Sequence, residues 1–307
     1  MKAVVYEKYG PPEVLQIKDV EIPKPKVNEV LIKNHATTVH VGDTRMRGFR
    51  VPKKHWIPMR LFLGIRKPKR QILGMEVSGV IESVGKDVNE FKKGDEVFAL
   101  TGFDGGGYAE YSSVLAIDGD EVKGMVVHKP KNISFEEAAA VPAGALTALL
   151  HMQKVNVQKD KKILIYGASG SVGTYAVQIA KYYGGEVTGV CSTSNLELVK
   201  SIGADKVIDY TKKDFTKSGE LYDIVFDAVY KISQSSCKNI LKENGIFDSS
   251  HAKIPEPKTK DLIFIKELIE KNKLKPIIDK TYPMEQIVEG HRYVDKGHKK
   301  GNVVIKI

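Results

Sequence analysis

A chain of 307 residues with 42% apolar and 28% charged content has room for two buried cores, and its composition fits neither a disordered nor a membrane-spanning protein. Its two cysteines, Cys191 and Cys237, exclude a four-cysteine zinc site and a disulfide framework. The net charge is +10; lysines are scattered along the whole chain, and one cluster stands out, RLFLGIRKPKR at 60–70. That cluster reads as a basic, apolar surface loop beside a ligand site. Nucleic acid and membrane are disfavoured as partners.

The opening MKAVVYEKYGPPEVL reads as a strand and a Gly-Pro turn, too short in its apolar run for a secretory leader. No run approaches eighteen apolar residues. The expected compartment is the cytoplasm. Strands are predicted at 4–6, 14–20, 29–39, 74–85, 95–100 and 108–114, with Gly/Pro punctuation and a single helical turn near Asp43–Arg47. A small, mostly β, barrel-like domain follows from that pattern.

At Ser134 the texture changes. SFEEAAAVPAGALTALLHMQK opens with a capping box, Ser134 and Glu137, and predicts a long helix kinked at Pro142. Strands then alternate with helices: KILIYG, EVTGVC, KVIDY, YDIVFDAV and GIFDSS are near-continuous apolar runs, as in a parallel sheet covered on both faces. The helices between them include SVGTYAVQIAKYYG, NLELVKSIG and SQSSCKNIL. Five strands are one fewer than a full doubly wound dinucleotide fold contains. Either the sheet is short or the chain lacks a segment after Ser250. The tail adds two helices, a strand at PIID and a last strand, NVVIKI, expected to rejoin the first domain. The fold class is therefore α/β: a Rossmann-type parallel sheet plus a mostly β domain over about the first 120 residues.

YGASGSVG (166–173) lies between an apolar strand and a helix, where a phosphate-binding turn belongs. It gives Ala168-x-Gly170-x-x-Gly173, with Ser169, Ser171 and Val172 between. Gly170 lets backbone approach a pyrophosphate, Gly173 lets the helix pack close, and the N–H groups of Ser171 and Val172 face the anion. The tip of the second strand, Cys191-Ser192-Thr193-Ser194-Asn195, carries no acid and several hydroxyls. That favours NADPH over NADH, with Ser192, Asn195 and Tyr210 as contacts, although Ser194 also fits an ordinary helix cap.

GMEVSGVIESVG, FKKGDEVFAL, GGGYAEY, VPAGALTAL, GASGSVGTYAVQIAK and LVKSIGADKVIDY, in that order, resemble the medium-chain dehydrogenase/reductase superfamily, in its zinc-free quinone oxidoreductase and 2-alkenal reductase branch. The resemblance implies a GroES-like catalytic domain (1–124 and 262–307) and a Rossmann domain (125–261). It implies hydride delivery from NADPH to a quinone or to the C=C of an α,β-unsaturated carbonyl. Zinc alcohol dehydrogenases of the superfamily carry Gly-His-Glu where this chain has Gly74-Met75-Glu76, so no zinc is expected, and Glu76 is expected to pair with a basic residue. The resemblance places His40, Arg45 and Thr147 as catalytic candidates. It places Thr147, Ala228 and Lys299 among the cofactor contacts, sets residues 60–70 where relatives shape substrate access, and implies a homodimer. Two alternatives stay open: an NAD(P)-dependent alcohol or carbonyl dehydrogenase, and a non-enzymatic NADPH-binding protein that contacts nucleic acid or membrane.

Overall fold

The computed structural model describes all residues except 53–54, 103–104, 118 and 120–123. The chain forms two compact units, one of Met1–Ala143, Lys258–Lys266 and Ile278–Ile307, the other of Gly144–Pro257 and Glu267–Ile277.

In the first unit, β1 (Lys2–Tyr6) and β2 (Leu15–Asp19) form an antiparallel pair. The larger sheet contains β3 (Glu29–Thr38), β4 (Glu76–Val84), β5 (Glu96–Leu100), β6 (Tyr111–Leu115) and β7 (Met125–His128). Two short helices interrupt it, α1 (Val41–Arg47) and α2 (Trp56–Leu63). Alternating side chains of β3, β4 and β5, among them Val30, Ile32, Val77, Ile81 and Val97, make one buried cluster. The capping box forms as the sequence indicates: Glu137 N–H donates to Ser134 Oγ at 3.2 Å and Ser134 N–H to Glu137 Oε2 at 2.9 Å.

Three expectations change here. The helix kinked at Pro142 is two helices, α3 (Phe135–Ala139) and α4 (Pro142–Lys154). Ala140 and Val141 donate three residues back, to Glu137 and Ala138, which closes the first helix before a proline that has no N–H to continue it. Part of the basic loop is the helix α2. The unit boundary falls at 143/144 rather than 124/125, because β7 pairs with β5 and α3 lies against β3 and β4.

The second unit holds a five-stranded, all-parallel sheet of β8 (Lys162–Tyr166), β9 (Glu186–Cys191), β10 (Lys206–Asp209), β11 (Tyr222–Asp227) and β12 (Leu241–Ser249), in the order β10-β9-β8-β11-β12. The count of five agrees with the sequence. Crossovers include α5 (Ser171–Tyr182) and α6 (Leu196–Ser201). Ser235–Ile240, expected as an α-helix, is a 3₁₀ segment. Its serines supply the reason: Ser233 Oγ accepts from Ser236 N–H, and Ser236 Oγ accepts from Ser233 N–H and donates to Ser233 C=O, bonds that compete with a helical ladder.

The chain leaves through α7 (Thr259–Glu270), β13 (Ile278–Pro283), α8 (Ile287–Asp295) and β14 (Asn302–Lys306). β14 pairs antiparallel with β3, so the last strand does rejoin the first sheet. Residues 267–277 belong to the second unit rather than the first. Gln178 of α5 holds them there, donating to Lys275 C=O at 3.0 Å and accepting from Lys275 N–H at 2.8 Å.

Candidate active site

In the second unit, the turn Gly167–Gly170 leads from β8 into α5, with Gly170 as N-cap and no side-chain cap on the first turn. Its two fingerprint glycines do different work. A Cβ on Gly173 would sit 2.1 Å from Gly167 O and 2.9 Å from the Ala168 Cα, so this glycine is demanded by strand–helix contact. A Cβ on Gly170 would meet nothing closer than 3.4 Å, at an ordinary φ of −79°. The fold itself does not ask for glycine there. Space left open beside the first-turn N–H groups fits an anionic ligand, and the turn therefore fits a dinucleotide.

The tip of β9 supports the same reading. Asn195 is buried and its amide donates to Ser169 Oγ at 3.0 Å and Ser192 Oγ at 3.2 Å, which ties the phosphate turn to the second strand. Ser194 is not the helix cap; Asn195 precedes α6, without a side-chain cap bond. Tyr210 follows β10, half exposed, with its ring 6.0 Å from that of Tyr166. Ala228 is buried just beyond β11, and Thr147 is half-buried on α4. One group was not foreseen. Asp209 ends β10 and accepts from the hydroxyls of Thr193 (2.5 Å) and Thr211 (2.7 Å), bonds that hold its carboxyl below the usual range. A charge therefore stands beside a tip that reads as acid-free along the sequence.

In the first unit, His40 ends the strand segment after β3 and caps α1, accepting from Gly42 N–H through Nδ1 at 3.0 Å. With Nδ1 an acceptor, the neutral ring carries its proton on Nε2. Burial, followed by the positive charges of Lys299 and Arg45, pushes the His40 pKa down to about 4, so the ring is neutral at pH 7. Lys299 is half-buried, donates to Gly301 C=O at 2.5 Å, and is lowered to about 8 by desolvation. Arg45 itself is exposed.

Glu76 is buried without an ion-pair partner among the described residues. Its Oε1 accepts from Thr38 Oγ at 2.5 Å and its Oε2 from Ala143 N–H at 2.7 Å. Desolvation raises it to about 6, against those two bonds and the distant charge of Lys299. The basic partner expected from the sequence is replaced by neutral donors, which suffice because a partly protonated carboxyl needs less compensation than a carboxylate.

A buried polar chain supports the His40 turn. Asp43 accepts from His40 N–H and Gly74 N–H, each at 3.0 Å, and from the Tyr108 hydroxyl; desolvation raises it to about 7. Tyr108 Oη lies 3.1 Å from His291 Nε2, and His291 Nδ1 lies 2.8 Å from Arg47. Arg47 pairs with Asp295 at 2.6 Å, which Arg50 also holds. Burial and Arg47 push His291 down to about 3. A neutral His291 accepts from Arg47 and donates to Tyr108, which donates to Asp43, so every link is satisfied. The resemblance names Arg45 as a candidate and contains Tyr108 only within the motif GGGYAEY. Arg47, Asp43, His291 and Asp295 carried no sequence signal, since the partners are up to 248 positions apart.

No group of three or more His, Cys, Asp or Glu side chains able to hold a metal occurs among the described residues. Met75 is buried beside Glu76, and both cysteines lie in the other unit. The donor set around His40 thus does not fit a tetrahedral zinc.

Comparison with known proteins agrees with this anatomy. The family model for the alcohol dehydrogenase GroES-like domain matches residues 26–182, and that for the zinc-binding dehydrogenase matches 202–305. The chain is 34% identical to a 2-methylene-furan-3-one reductase of Solanum lycopersicum, over 99% of this chain and 79% of that one. It is 33% identical to a chloroplastic quinone oxidoreductase of Triphysaria versicolor, over 100% and 98%. The solved quinone oxidoreductase from Coxiella burnetii superposes with a TM-score of 0.85 at 26% identity, over 100% and 99% of the two chains. The chain belongs to the medium-chain dehydrogenase/reductase superfamily, in its quinone oxidoreductase and alkenal reductase branch.

Proposed function

We propose that the protein is an NADPH-dependent, zinc-independent reductase of quinones or of the C=C bond of α,β-unsaturated carbonyls. The observation that carries this reading is the donor set around His40: a neutral imidazole with Nε2–H available and a desolvated lysine, with no cluster to ligate a metal among the described residues. The zinc alcohol dehydrogenases of the superfamily use the metal as a Lewis acid on the alcohol oxygen, whereas an enolate or hydroquinone oxygen needs only hydrogen-bond donors. Names of relatives point the same way, among them an NADPH-dependent alkenal/one oxidoreductase of Arabidopsis thaliana, 32% identical over 99% of this chain and 79% of that one.

The cofactor supplies the reducing equivalent from its nicotinamide ring. Ala168 to Gly173 would hold its pyrophosphate at the start of α5. Ser192, Asn195 and Tyr210 would hold the 2′-phosphate, with the Asp209 charge engaged by Thr193 and Thr211. His40 Nε2–H donates to the oxygen that gains charge. Lys299, with a pKa of about 8, is matched to giving a proton near neutral pH. Asp43, held by Tyr108, fixes the backbone of His40.

Steady-state kinetics with an enone test the assignment. His40→Ala should lower kcat by about 10²–10³, the effect of losing one oxyanion donor. His40→Asn keeps a cap and an N–H donor and should stay within about tenfold of wild type. Equal losses in both variants, or none in either, would contradict the role.

A further inference from the structure

Helix α2 is built inside out. In a surface helix the apolar stripe faces the core and the charges face water. Here Ile57, Leu61 and Phe62 are 69%, 58% and 48% exposed, Ile65 beyond the helix is 65% exposed, and no residue of the helix is buried. The one charged residue of the helix, Arg60, turns inward instead. Its guanidinium lies 3.7 Å over the Phe49 ring, 4.7 Å from Tyr9 and 5.0 Å from Trp56, and bonds Ile65 C=O at 3.0 Å.

The arrangement is fastened in place. Tyr9 Oη donates to Gly64 C=O at 3.1 Å and Lys69 Nζ to Leu61 C=O at 2.7 Å. Gly64 takes φ +122°, where a Cβ would lie 2.1 Å from Lys67 O. The outward apolar face is thus a held conformation.

Its surroundings decide what covers it. The chain has 48 Lys and Arg against 38 Asp and Glu, and residues 44–75 contain ten of those cations and no acid. The rest of the chain is therefore balanced at 38 of each sign, and the whole net charge of +10 resides in this segment. Arg47 and Arg50 are taken by Asp295; Arg66 and Lys67 are exposed around the apolar residues, as are Lys69, which holds Leu61 C=O, and Arg70, whose guanidinium lies 5.7 Å from the Phe62 ring. Glu7, the acid that feels Lys67, is itself paired with Lys18 at 2.8 Å.

A second copy of the chain is a poor occupant, since it would bring two such segments together. Nucleic acid would use the cations and stack on rings, but Ile57, Leu61 and Ile65 are aliphatic and call for an apolar phase. We infer that α2 and the 64–70 turn form a docking surface for an anionic lipid bilayer. Ile57, Leu61, Phe62 and Ile65 enter the interface, Trp56 sits at headgroup level, and the cations meet lipid phosphates. This differs from the sequence expectation of a loop beside a ligand site, and it does not depend on which substrate is reduced.

Co-sedimentation of the full chain with sucrose-loaded vesicles tests it. Binding to phosphatidylcholine vesicles containing 30% phosphatidylglycerol should exceed binding to phosphatidylcholine alone by at least about tenfold, and should fall at least about tenfold at high salt. Ile57→Gln/Leu61→Gln/Phe62→Gln and, separately, Arg66→Gln/Lys67→Gln should each lose about tenfold or more. A thermal unfolding midpoint within about 3 °C of wild type serves as the check that both variants are folded. Vesicle binding indifferent to lipid charge or to the apolar triple, self-association through this face, or RNA binding in place of vesicle binding would overturn the inference.

Discussion

The two glycines of the phosphate turn should respond oppositely to the same added methyl group. In Gly173→Ala the new Cβ would lie 2.1 Å from Gly167 O, and backbone cannot swing aside as a side-chain tip can. Overpacking of this kind costs about 1–3 kcal/mol or more. In Gly170→Ala the nearest neighbours are Gly167 O at 3.4 Å and a Val229 methyl at 3.7 Å, both ordinary contacts. Reduced freedom of the unfolded chain stabilises by about 0.4–1 kcal/mol. Exchanging glycine for alanine at an N-cap costs about as much, so the net change is about zero. Cofactor binding should separate from stability. Gly170→Ala should melt within about 3 °C of wild type, yet bind NADPH at least about tenfold more weakly in a fluorescence titration, because its methyl occupies space kept for the ligand. Wild-type affinity in Gly170→Ala, or a loss of stability as large as that of Gly173→Ala, would refute this division of roles.

Glu76→Gln should keep turnover and lie within about 1 kcal/mol of wild type in denaturant unfolding, since an amide can accept from Ala143 N–H and donate to the Thr38 hydroxyl. Asp43→Asn should cost about 2–3 kcal/mol, because Asp43 accepts two backbone N–H groups on separate oxygens and an amide would oppose one of them. His291 has a folded pKa of about 3, below its unfolded value, so the unfolded state binds the proton first as pH falls. Stability tied to His291 is therefore present above about pH 6.5 and lost toward pH 3. The gap between wild type and His291→Gln should narrow by up to about 4 kcal/mol across that window in urea titrations. Lys299 must be protonated to deliver its proton, so kcat should fall as pH rises through about 8. Lys299→Met should remove that limb and lower kcat about tenfold or more, and an unchanged pH profile would exclude the lysine.

Much of this fold is legible in the sequence because its signals are local. The alternation of β3 and β4, the apolar runs of β8, β9 and β11, the capping box at Ser134 and the glycine turn at 167–173 each depend on a few neighbouring residues, and five parallel strands could be counted before any pairing was known. The features that escaped depend on distance or context. Arg47 and His291 are 244 positions apart, so no window contains both halves of the chain that steadies His40. Asp209 reaches the hydroxyl tip through Thr193, on the neighbouring strand's loop. Helix α2 carries no such local signal: its eight residues, WIPMRLFL, include a proline and a single charge, so no polar face marks it as a surface helix.

The central claim is reduction of an activated C=C bond or a quinone without a metal. The most direct measurement is NADPH oxidation by chelator-treated protein against a panel of quinones, 2-alkenals, enones and simple ketones, with zinc content determined on the same sample. Turnover of quinones or enones at less than about 0.1 zinc per chain, with simple ketones inert, is the result predicted from the donor set around His40. Turnover confined to ketones or alcohols, dependent on about one tightly held zinc per chain, would contradict it.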